Sequence, residues 1–216
     1  MTDVSPFEKM DRMYRFQRFF YDVSRKYYLL GRDRLLEEMA VTPDSLVLEV
    51  GCGTVRNLIL LAQQYPDSHF FGLDASAAML ETAQKNISGR KLENISLAHG
   101  LAGEYSHEAT FGSRRPFDLV FFSYSLSMIT DWHGTLDNAL ANLGPGGTVY
   151  IVDFYDQAEL PSAFRRFLQW WLALFGVRYD PEIGEYLSDP GSGLESTLTP
   201  LYRRYSFIEK LKKPAR

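Results

Sequence analysis

The chain has 216 residues, of which 45% are hydrophobic, so it is long enough to bury a substantial core within one domain. Its single cysteine, Cys52, excludes an intramolecular disulfide and fits a reducing compartment. No N-terminal apolar run resembles a secretion signal, and no stretch of about 18 apolar residues is present that would cross a bilayer.

The formal net charge of −4 is distributed unevenly along the chain. Residues 9–34 hold eight Lys or Arg against three acidic residues, and residues 203–216 hold six against one. Each end therefore carries +5 and the remainder −14. An acidic body argues against a nucleic-acid partner, whereas the basic ends fit either a solvated face or a membrane surface. The sequence therefore predicts a cytoplasmic protein, either free or peripheral to the inner face of the membrane.

The N-terminal region follows a helical period, and we expect a helix from Met10 to about Glu38, where "VTPDS" ends it. One apolar stripe on this helix consists of Phe16, Phe20, Val23, Tyr27 and Leu30. A different face carries Tyr14, Arg18, Tyr21, Arg25 and Tyr28. Residues 1–40 are therefore interpreted as a helical cap.

After residue 40, predicted strands alternate with predicted helices. The strands are Leu46–Val50, His69–Leu73, Ile95–Ala98, Asp118–Ser123 and Thr148–Asp153; the helices are Asn57–Tyr65, Ala77–Asn86 and Leu136–Leu143. This alternation predicts a doubly wound α/β fold with a mostly parallel sheet. An apolar helix from Ser162, a Pro/Gly-rich loop from Asp189 and strands near 195–211 follow. We expect a single domain over 1–216, with a ligand-binding core at 41–155 and the apolar helix and last strands at 156–216.

The stretch "VLEVGCGTVRN" predicts a strand, a glycine loop and a helix. Gly51 and Gly53 allow a tight turn and close approach of a ligand to the backbone. A dinucleotide fingerprint would need glycine where the chain has Arg56. Glu49 suits a cationic ligand such as S-adenosylmethionine, and Asp74, at the end of the second strand, is placed to accept both ribose hydroxyls.

With these residues the chain resembles the class I S-adenosylmethionine-dependent methyltransferases over roughly residues 40–155. A wider likeness rests on "MYRFQRFFYDVSRKYYLLGRDRLL", "GCGTVRNLIL", "SYSLSMITDW", "IVDF" and "LYRRYSF", which are similar to the diacylglyceryl-homoserine N-methyltransferases of betaine-lipid synthesis. The resemblance implies a Rossmann-like, seven-stranded sheet with an antiparallel C-terminal hairpin, and methyl transfer to the amine of a lipid headgroup. It implies a cofactor site made of Glu49, Gly51, Cys52, Gly53, Thr54, Asn57, Asp74, Ala75, Met79, Gly100, Leu101, Ala102, Ser123 and Tyr28.

Two positions depart from the family. Val55 stands where a third glycine is usual, and we expect its φ to be negative, so that the loop still binds. Leu101 stands where similar enzymes carry an acid for the adenine amino group, at a cost of about 0.5–1.5 kcal/mol for one neutral hydrogen bond. Both changes also fit a member that binds cofactor without catalysing transfer.

Methyl transfer to an amine needs positioning more than a nucleophile or a metal, and no histidine spacing predicts a metal site. Tyr124 and Ser125, at the exit of the fourth strand, are expected to face the transfer point. Tyr21 is expected to act with them and to form, with Tyr28, a lid whose aromatic faces attract cations. Arg18 and Arg25 are candidates to bind the homoserine carboxylate. The alternatives are that these tyrosines only pack on the sheet and that the two arginines only face solvent.

The stretch "FRRFLQWWLALFG" at 164–176 fits an interfacial helix, an acyl-chain groove or a helix packed on the sheet. Three other functions stay open: a methyltransferase for another small amine or acid, a cofactor-binding protein without catalysis, and, least supported because position 56 lacks glycine, a nicotinamide oxidoreductase.

Overall fold

The computed structural model describes residues 29–173, 181–188 and 193–215. Six helices and seven strands alternate in this part of the chain. The helices are α1 (Arg32–Glu38), α2 (Arg56–Gln64), α3 (Ala77–Ser88), α4 (Trp132–Ala141), α5 (Ser162–Ala173) and α6 (Pro181–Ser188). The strands are β1 (Leu46–Val50), β2 (His69–Asp74), β3 (Ile95–His99), β4 (Phe117–Ser123), β5 (Leu143–Phe154), β6 (Glu195–Leu201) and β7 (Ser206–Lys212).

The strands form one seven-stranded sheet in the order β3-β2-β1-β4-β5-β7-β6. Strands β1 to β5 are parallel, whereas β7 runs antiparallel to both β5 and β6. The predicted fold class, with its antiparallel C-terminal hairpin, is confirmed. The strand order reverses direction between β1 and β4, and in open α/β sheets ligands bind at the carboxyl ends of the strands beside such a reversal.

Apolar side chains bury both faces of the sheet. On one face Leu35 of α1, Leu58 and Leu61 of α2 and Leu168 of α5 pack against the sheet in one cluster. On the other face, the packing comes from Trp132 and Leu136 of α4 and Ile183 of α6. Helices on both faces leave the carboxyl edge of the sheet as the place where loops can build a site. No helix in these described ranges is long and apolar enough to cross a membrane.

The single N-terminal helix expected from Met10 to Glu38 is wrong in its last part. Residues 10–28 lie outside the described ranges. In the described part of the chain, the first helix begins only at Arg32. Gly31 precedes it with a φ of 91°, and a Cβ added there would lie 2.8 Å from Leu201 Cδ1. The left-handed backbone favours glycine here, and it breaks the helical period at this residue.

Three other elements differ from the sequence prediction by more than two residues. Helix α4 begins at Trp132, four residues before the predicted start, because Asp131 Oδ1 accepts a hydrogen bond from the Gly134 N–H at 3.0 Å and caps the helix. Strand β5 begins at Leu143 and includes the predicted turn "GPGG", where its register against β4 shifts. Helix α6 was not predicted.

Candidate active site

The glycine loop after β1 is shaped by contacts with its two neighbouring strands. The N–H groups of Gly51 and Cys52 both donate to the Leu73 carbonyl, at 2.8 and 3.0 Å. Gly51 has a φ of 76°, and a Cβ added there would lie 2.5 Å from Ser125 Cβ. Glycine is therefore required at position 51, because the exits of β1 and β4 touch at this point.

Val55 adopts the conformation that the sequence analysis did not expect. Its φ is 63° and its ψ is 25°, so the expectation of a negative φ is wrong. The residue is the N-cap of α2, its N–H donates to the Cys52 carbonyl at 2.9 Å, and its side chain is fully buried. A left-handed conformation costs about 1–2 kcal/mol, and burial of a valine side chain contributes about 1.5–3 kcal/mol in the opposite direction.

Asp74 ends β2 with a carboxylate that two backbone groups hold in place. Its Oδ2 accepts a hydrogen bond from the Gly53 N–H at 2.7 Å, and its Oδ1 accepts one from the Ser76 N–H at 2.8 Å. A carboxylate offers about four acceptor positions, so this orientation is compatible with the ribose hydroxyls that the sequence analysis assigned to it.

Asp74 opens onto the first of two cavities at the carboxyl edge of the sheet. This cavity, called the apolar cavity below, has a volume of about 580 Å³, enough for a nucleoside. Ten of the predicted site residues line it: Gly51, Gly53, Asp74, Ala75, Met79, Gly100, Leu101, Ala102, Tyr124 and Ser125.

Two acidic residues that were not predicted from the sequence line the apolar cavity. Leu101 lies in the cavity wall, where its side chain offers no carboxylate to the adenine amino group. The Glu104 N–H donates to the Leu101 carbonyl at 3.1 Å, and this turn brings the exposed Glu104 side chain into the same wall. Asp131 lines the cavity as well. An acceptor for an adenine amino group is therefore available within three residues of position 101.

The second cavity lies on the other side of Gly51 and is called the polar cavity. Its volume is about 460 Å³. Five further predicted residues line it with Gly51: Glu49, Cys52, Thr54, Asn57 and Ser123. Arg32, Arg56 and Arg90, which the sequence analysis missed because they come from three different helical regions, also line it.

Polar side chains are organised inside the polar cavity. Glu49 is almost fully buried, and its Oε1 accepts a hydrogen bond from Asn57 Nδ2 at 2.7 Å. Ser123 Oγ is buried and has no hydrogen-bond partner among the described residues. Unsatisfied buried hydroxyls are costly, so this atom is suited to a polar ligand group. The residues present thus fit a ligand that carries a cation near Glu49 and a nucleoside in the apolar cavity.

The Cys52 thiol is not a candidate nucleophile. Its side chain is buried, and burial, followed by the charges of Asp74 and Glu49, raises the pKa of the thiol well above its usual value. The thiol therefore stays protonated and inert at neutral pH. In the described residues, no group of three or more His, Cys, Asp or Glu side chains is arranged to hold a metal ion.

The hydroxyls of Tyr124 and Ser125 bind the backbone of neighbouring segments. Tyr124 OH donates to the Leu30 carbonyl, and Ser125 Oγ donates to the Val50 carbonyl at 2.7 Å. Burial raises the pKa of the Tyr124 hydroxyl well above its usual value, so it does not act as a base. These bonds fix both side chains in the wall of the apolar cavity, and the expectation that they face the transfer point stays a prediction.

A buried carboxylate beside this exit was also missed in the sequence. Asp153, near the end of β5, accepts hydrogen bonds from the Ser127 N–H at 3.0 Å and from the Phe154 N–H at 2.8 Å. Burial raises its pKa to about 6. Its only sequence signal is an acid within the apolar strand "IVDF". The remaining predicted site residues, Arg18, Tyr21, Arg25 and Tyr28, lie outside the described residues.

Comparisons with known proteins agree with this geometry. The methyltransferase-domain family model matches residues 42–173. Demethylmenaquinone methyltransferase of Listeria monocytogenes serotype 4a is 28% identical over 184 residues, which cover 83% of this chain and 74% of that protein.

Solved structures share the fold at low sequence identity. A SAM-dependent methyltransferase from Aquifex aeolicus matches with a TM-score of 0.63 and 17% identity, covering 98% of this chain and 99% of its own. The [4+2]-cyclase SpnF matches with a TM-score of 0.75 and 14% identity, covering 99% and 98%. A cyclase among the similar structures shows that the fold alone does not assign the reaction. The family match, together with the glycine loop and Asp74, does assign it: the chain belongs to the methyltransferase-domain family and is an S-adenosylmethionine-dependent methyltransferase.

Proposed function

We propose that this protein transfers methyl groups from S-adenosylmethionine to the amine of a lipid headgroup, with diacylglyceryl homoserine as the substrate. The observation that carries the proposal is the polar cavity beside Gly51, which combines a buried carboxylate, Glu49, with the guanidinium groups of Arg32 and Arg56. A homoserine headgroup carries an amine and a carboxylate, and guanidinium groups bind carboxylates with paired hydrogen bonds. The likeness of segments 13–36 and 201–207 to betaine-lipid enzymes supports the same substrate.

The cofactor supplies a methyl group on a sulfonium, and the protein must hold an unprotonated amine in line with it. Such positioning accounts for much of the acceleration in displacement reactions. Asp74 and the apolar cavity would hold the nucleoside, and Gly51 separates it from the polar cavity. Tyr21 and Tyr28 are proposed as a lid over the two cations, and Arg18 and Arg25 as further carboxylate partners; all four lie outside the described residues.

A second candidate substrate is demethylmenaquinone, because curated relatives such as the Listeria protein act on it. A quinone carries neither an amine nor a carboxylate, so with this substrate the groups of the polar cavity would hold only the cation-bearing end of the cofactor. Other small amines or acids, and cofactor binding without transfer, are the remaining alternatives.

The test presents both lipids to the protein in the same detergent micelles with isotope-labelled S-adenosylmethionine, and products are identified by mass spectrometry. We expect successive methyl additions on diacylglyceryl homoserine and none on demethylmenaquinone. Methylation of the quinone alone would reverse the assignment. Cofactor binding without a methylated product from either lipid, or from a panel of small amines and acids, would identify a protein that has lost catalysis.

A matched pair of variants on α1 tests the carboxylate site. Arg32 lines the polar cavity, whereas Arg34 lies on the exposed side and pairs with Glu38 at 2.8 Å. We expect Arg32→Ala to raise the KM for the homoserine lipid about 10-fold, since a charged hydrogen bond contributes roughly 1.5–3 kcal/mol, and to leave the Kd for S-adenosylmethionine unchanged. Arg34→Ala should change neither constant. Equal effects of the two substitutions would remove Arg32 from the substrate site.

A further inference from the structure

Helix α5 has two apolar faces, and only one of them packs on the part of the protein that the structure describes. Leu168 and Leu172 are buried against the sheet. Phe164, Phe167 and Trp170, spaced three residues apart, are 51%, 57% and 59% exposed. These three account for most of the five large hydrophobic side chains exposed in the described part of the chain. Side chains at such spacing share one face of a helix, so the exposure is concentrated on one surface.

A fourth exposed aromatic residue lies on the turn between β6 and β7. Tyr202, Arg203 and Arg204 have φ values of 48°, 59° and 59°, a left-handed run that is unfavourable for side-chain-bearing residues. Arg204 holds this turn in place, because its guanidinium forms a two-fold ion pair with Asp156 and lies 4.3 Å from the centroid of the Tyr155 ring. The turn therefore presents Tyr202, which is 52% exposed, and Arg203 to solvent.

The turn and the helix are joined through the loop that follows β5. The Gln157 N–H donates to the Arg204 carbonyl at 2.7 Å, and the Arg165 N–H of α5 donates to the Pro161 carbonyl at 2.9 Å. Leu168 and Leu172 of α5 also lie in the same buried cluster as Leu201 and Tyr205, which flank the turn. The exposed aromatic residues thus belong to one region of the surface.

The charge of this region is positive although the whole chain carries −4. Arg165, Arg166 and Arg203 are accompanied by one acid on the connecting loop, Glu159, while Arg204 and Asp156 neutralise each other. We name the surface formed by Phe164, Phe167, Trp170, Tyr202, Arg166 and Arg203 the aromatic–basic face.

The aromatic–basic face lies at the same edge of the sheet as the two cavities. Phe154, the last residue of β5, pairs with Ser206, the first of β7, and the Tyr202–Arg204 turn extends beyond this pair. Carboxyl ends of β1, β4 and β5 share this edge, because the three strands are parallel. A surface that meets this face would also be near the entrance of the site.

We infer that the aromatic–basic face docks on a lipid bilayer with anionic headgroups, with α5 lying in the plane of the interface. Phe and Trp side chains enter the boundary between headgroups and acyl chains, and arginines bind the anionic headgroups. This inference rests on the proposed function in one respect: a bilayer would deliver the lipid substrate to the site that the face adjoins.

Co-sedimentation of the full chain with vesicles tests the docking. We expect binding to vesicles of equal parts phosphatidylcholine and phosphatidylglycerol, and weaker binding to phosphatidylcholine alone or at high salt, by about 5-fold for each arginine engaged. Phe167→Ser combined with Trp170→Ser should weaken binding roughly 10-fold or more. Arg166→Glu with Arg203→Glu should weaken binding to anionic vesicles only. The matched control, Arg114→Glu on an exposed loop that precedes β4, should change nothing.

Tryptophan fluorescence locates the contact within the chain. Trp132 is buried and Trp171 is half-buried, so a blue shift on addition of vesicles should arise mainly from Trp170. Trp170→Phe should lose this shift and keep most of the binding. An unshifted wild-type spectrum, or equal binding by all variants, would overturn the docking surface.

Two outcomes separate this inference from the proposed function. Vesicle binding that depends on the face, without methylation of the homoserine lipid in micelles, would reject the substrate and keep the docking surface. Methylation in micelles by a protein that does not bind vesicles would keep the substrate and reject the docking surface. A dimer that Phe167→Ser with Trp170→Ser converts to monomers in analytical ultracentrifugation, without vesicle binding, would assign the face to a second copy of the chain.

Discussion

Val55 shows how one side chain is kept in an unfavourable backbone conformation. Its φ of 63° places it in the left-handed region, where β-branched residues are rare, yet its side chain is fully buried. Burial and strain therefore oppose each other at the residue that joins the glycine loop to α2. The loop retains its geometry because packing exceeds the strain.

This balance predicts an inverted order of stability for two substitutions. Val55→Ala loses packing and keeps the strain, whereas Val55→Gly loses slightly more packing and relieves the strain, so the glycine variant should be the more stable by about 1 kcal/mol. Urea unfolding measures the difference. At Ala62, inside α2, Ala62→Gly should instead destabilise by about 1 kcal/mol, the normal order for a helix interior. An alanine variant at position 55 more stable than the glycine variant would contradict the strain.

Asp74 is the second residue with a decisive role, because it shapes the loop and faces the apolar cavity. Calorimetry with S-adenosylmethionine should show at least about 10-fold weaker binding for Asp74→Ala, and a smaller loss for Asp74→Asn, which keeps one acceptor oxygen. Asp67→Ala, at an exposed site away from the cavity, should bind as the wild type does. Unchanged affinity in a folded Asp74→Ala variant would exclude this carboxylate from the cofactor site.

At the scale of elements, the hairpin of β6 and β7 carries a buried acid unrelated to the active site. Glu209 is fully buried; its Oε1 accepts hydrogen bonds from Ser196 Oγ and the Thr197 N–H, both at 2.9 Å. Its Oε2 has no partner among the described residues. Burial raises the pKa of Glu209 from 4.5 to about 7.

The raised pKa predicts how stability depends on pH. Below pH 4.5 the group is protonated in both states, and above about pH 7 the folded protein must ionise a buried acid that ionises freely when unfolded. Stability should therefore fall as the pH rises between these values, by roughly 2–3 kcal/mol. Asp153, with its pKa of about 6, adds a decline of the same sign.

Glu209→Gln separates the two contributions. The variant should be more stable than the wild type at pH 8. In denaturant titrations at a series of pH values, the decline between pH 6 and 7 should disappear, whereas the decline that Asp153 contributes below pH 6 should remain. Glu195→Gln, at an exposed position of the same hairpin, serves as the control and should leave the pH profile unchanged. Parallel profiles for Glu209→Gln and the wild type would show that Glu209 ionises with an ordinary pKa.

At the scale of the molecule, cofactor binding and lipid recognition are assigned to different parts of the chain. The described residues that line the apolar cavity all lie between Val50 and Thr135. The residues proposed as a lid and as carboxylate partners lie before residue 29. Deletion of residues 1–28 should therefore abolish methyl transfer to the lipid and leave S-adenosylmethionine binding within about 10-fold of the wild type.

Circular dichroism and thermal unfolding of the truncated chain establish first that it is folded. Calorimetry then measures cofactor affinity, and the labelled-lipid assay measures transfer. A folded truncation that methylates the lipid at the full rate would show that the N-terminal segment has no role in the reaction, and that Tyr21, Tyr28, Arg18 and Arg25 act only in packing or solubility.

The sequence by itself determined the strands, the glycine loop and the ribose-binding candidate. These features depend on local chemistry: runs of apolar residues form buried strands, Gly51 and Gly53 permit a tight turn, and Asp74 follows directly on a predicted strand. The order of strands and helices then restricts the topology to a doubly wound sheet, and this sheet places the loop and Asp74 at one edge.

The tertiary structure alone decided which groups meet at that edge. Tyr124 binds the carbonyl of a residue 94 positions away, and Ser125 binds one 75 positions away, so the hydrogen-bond partners of both hydroxyls could not be read from their own segment. Val55 is left-handed because the packing around it overrides the preference of its backbone. The exposed face of α5 has the same cause: a helical period identifies apolar faces, but only the packed fold determines which of them another element covers.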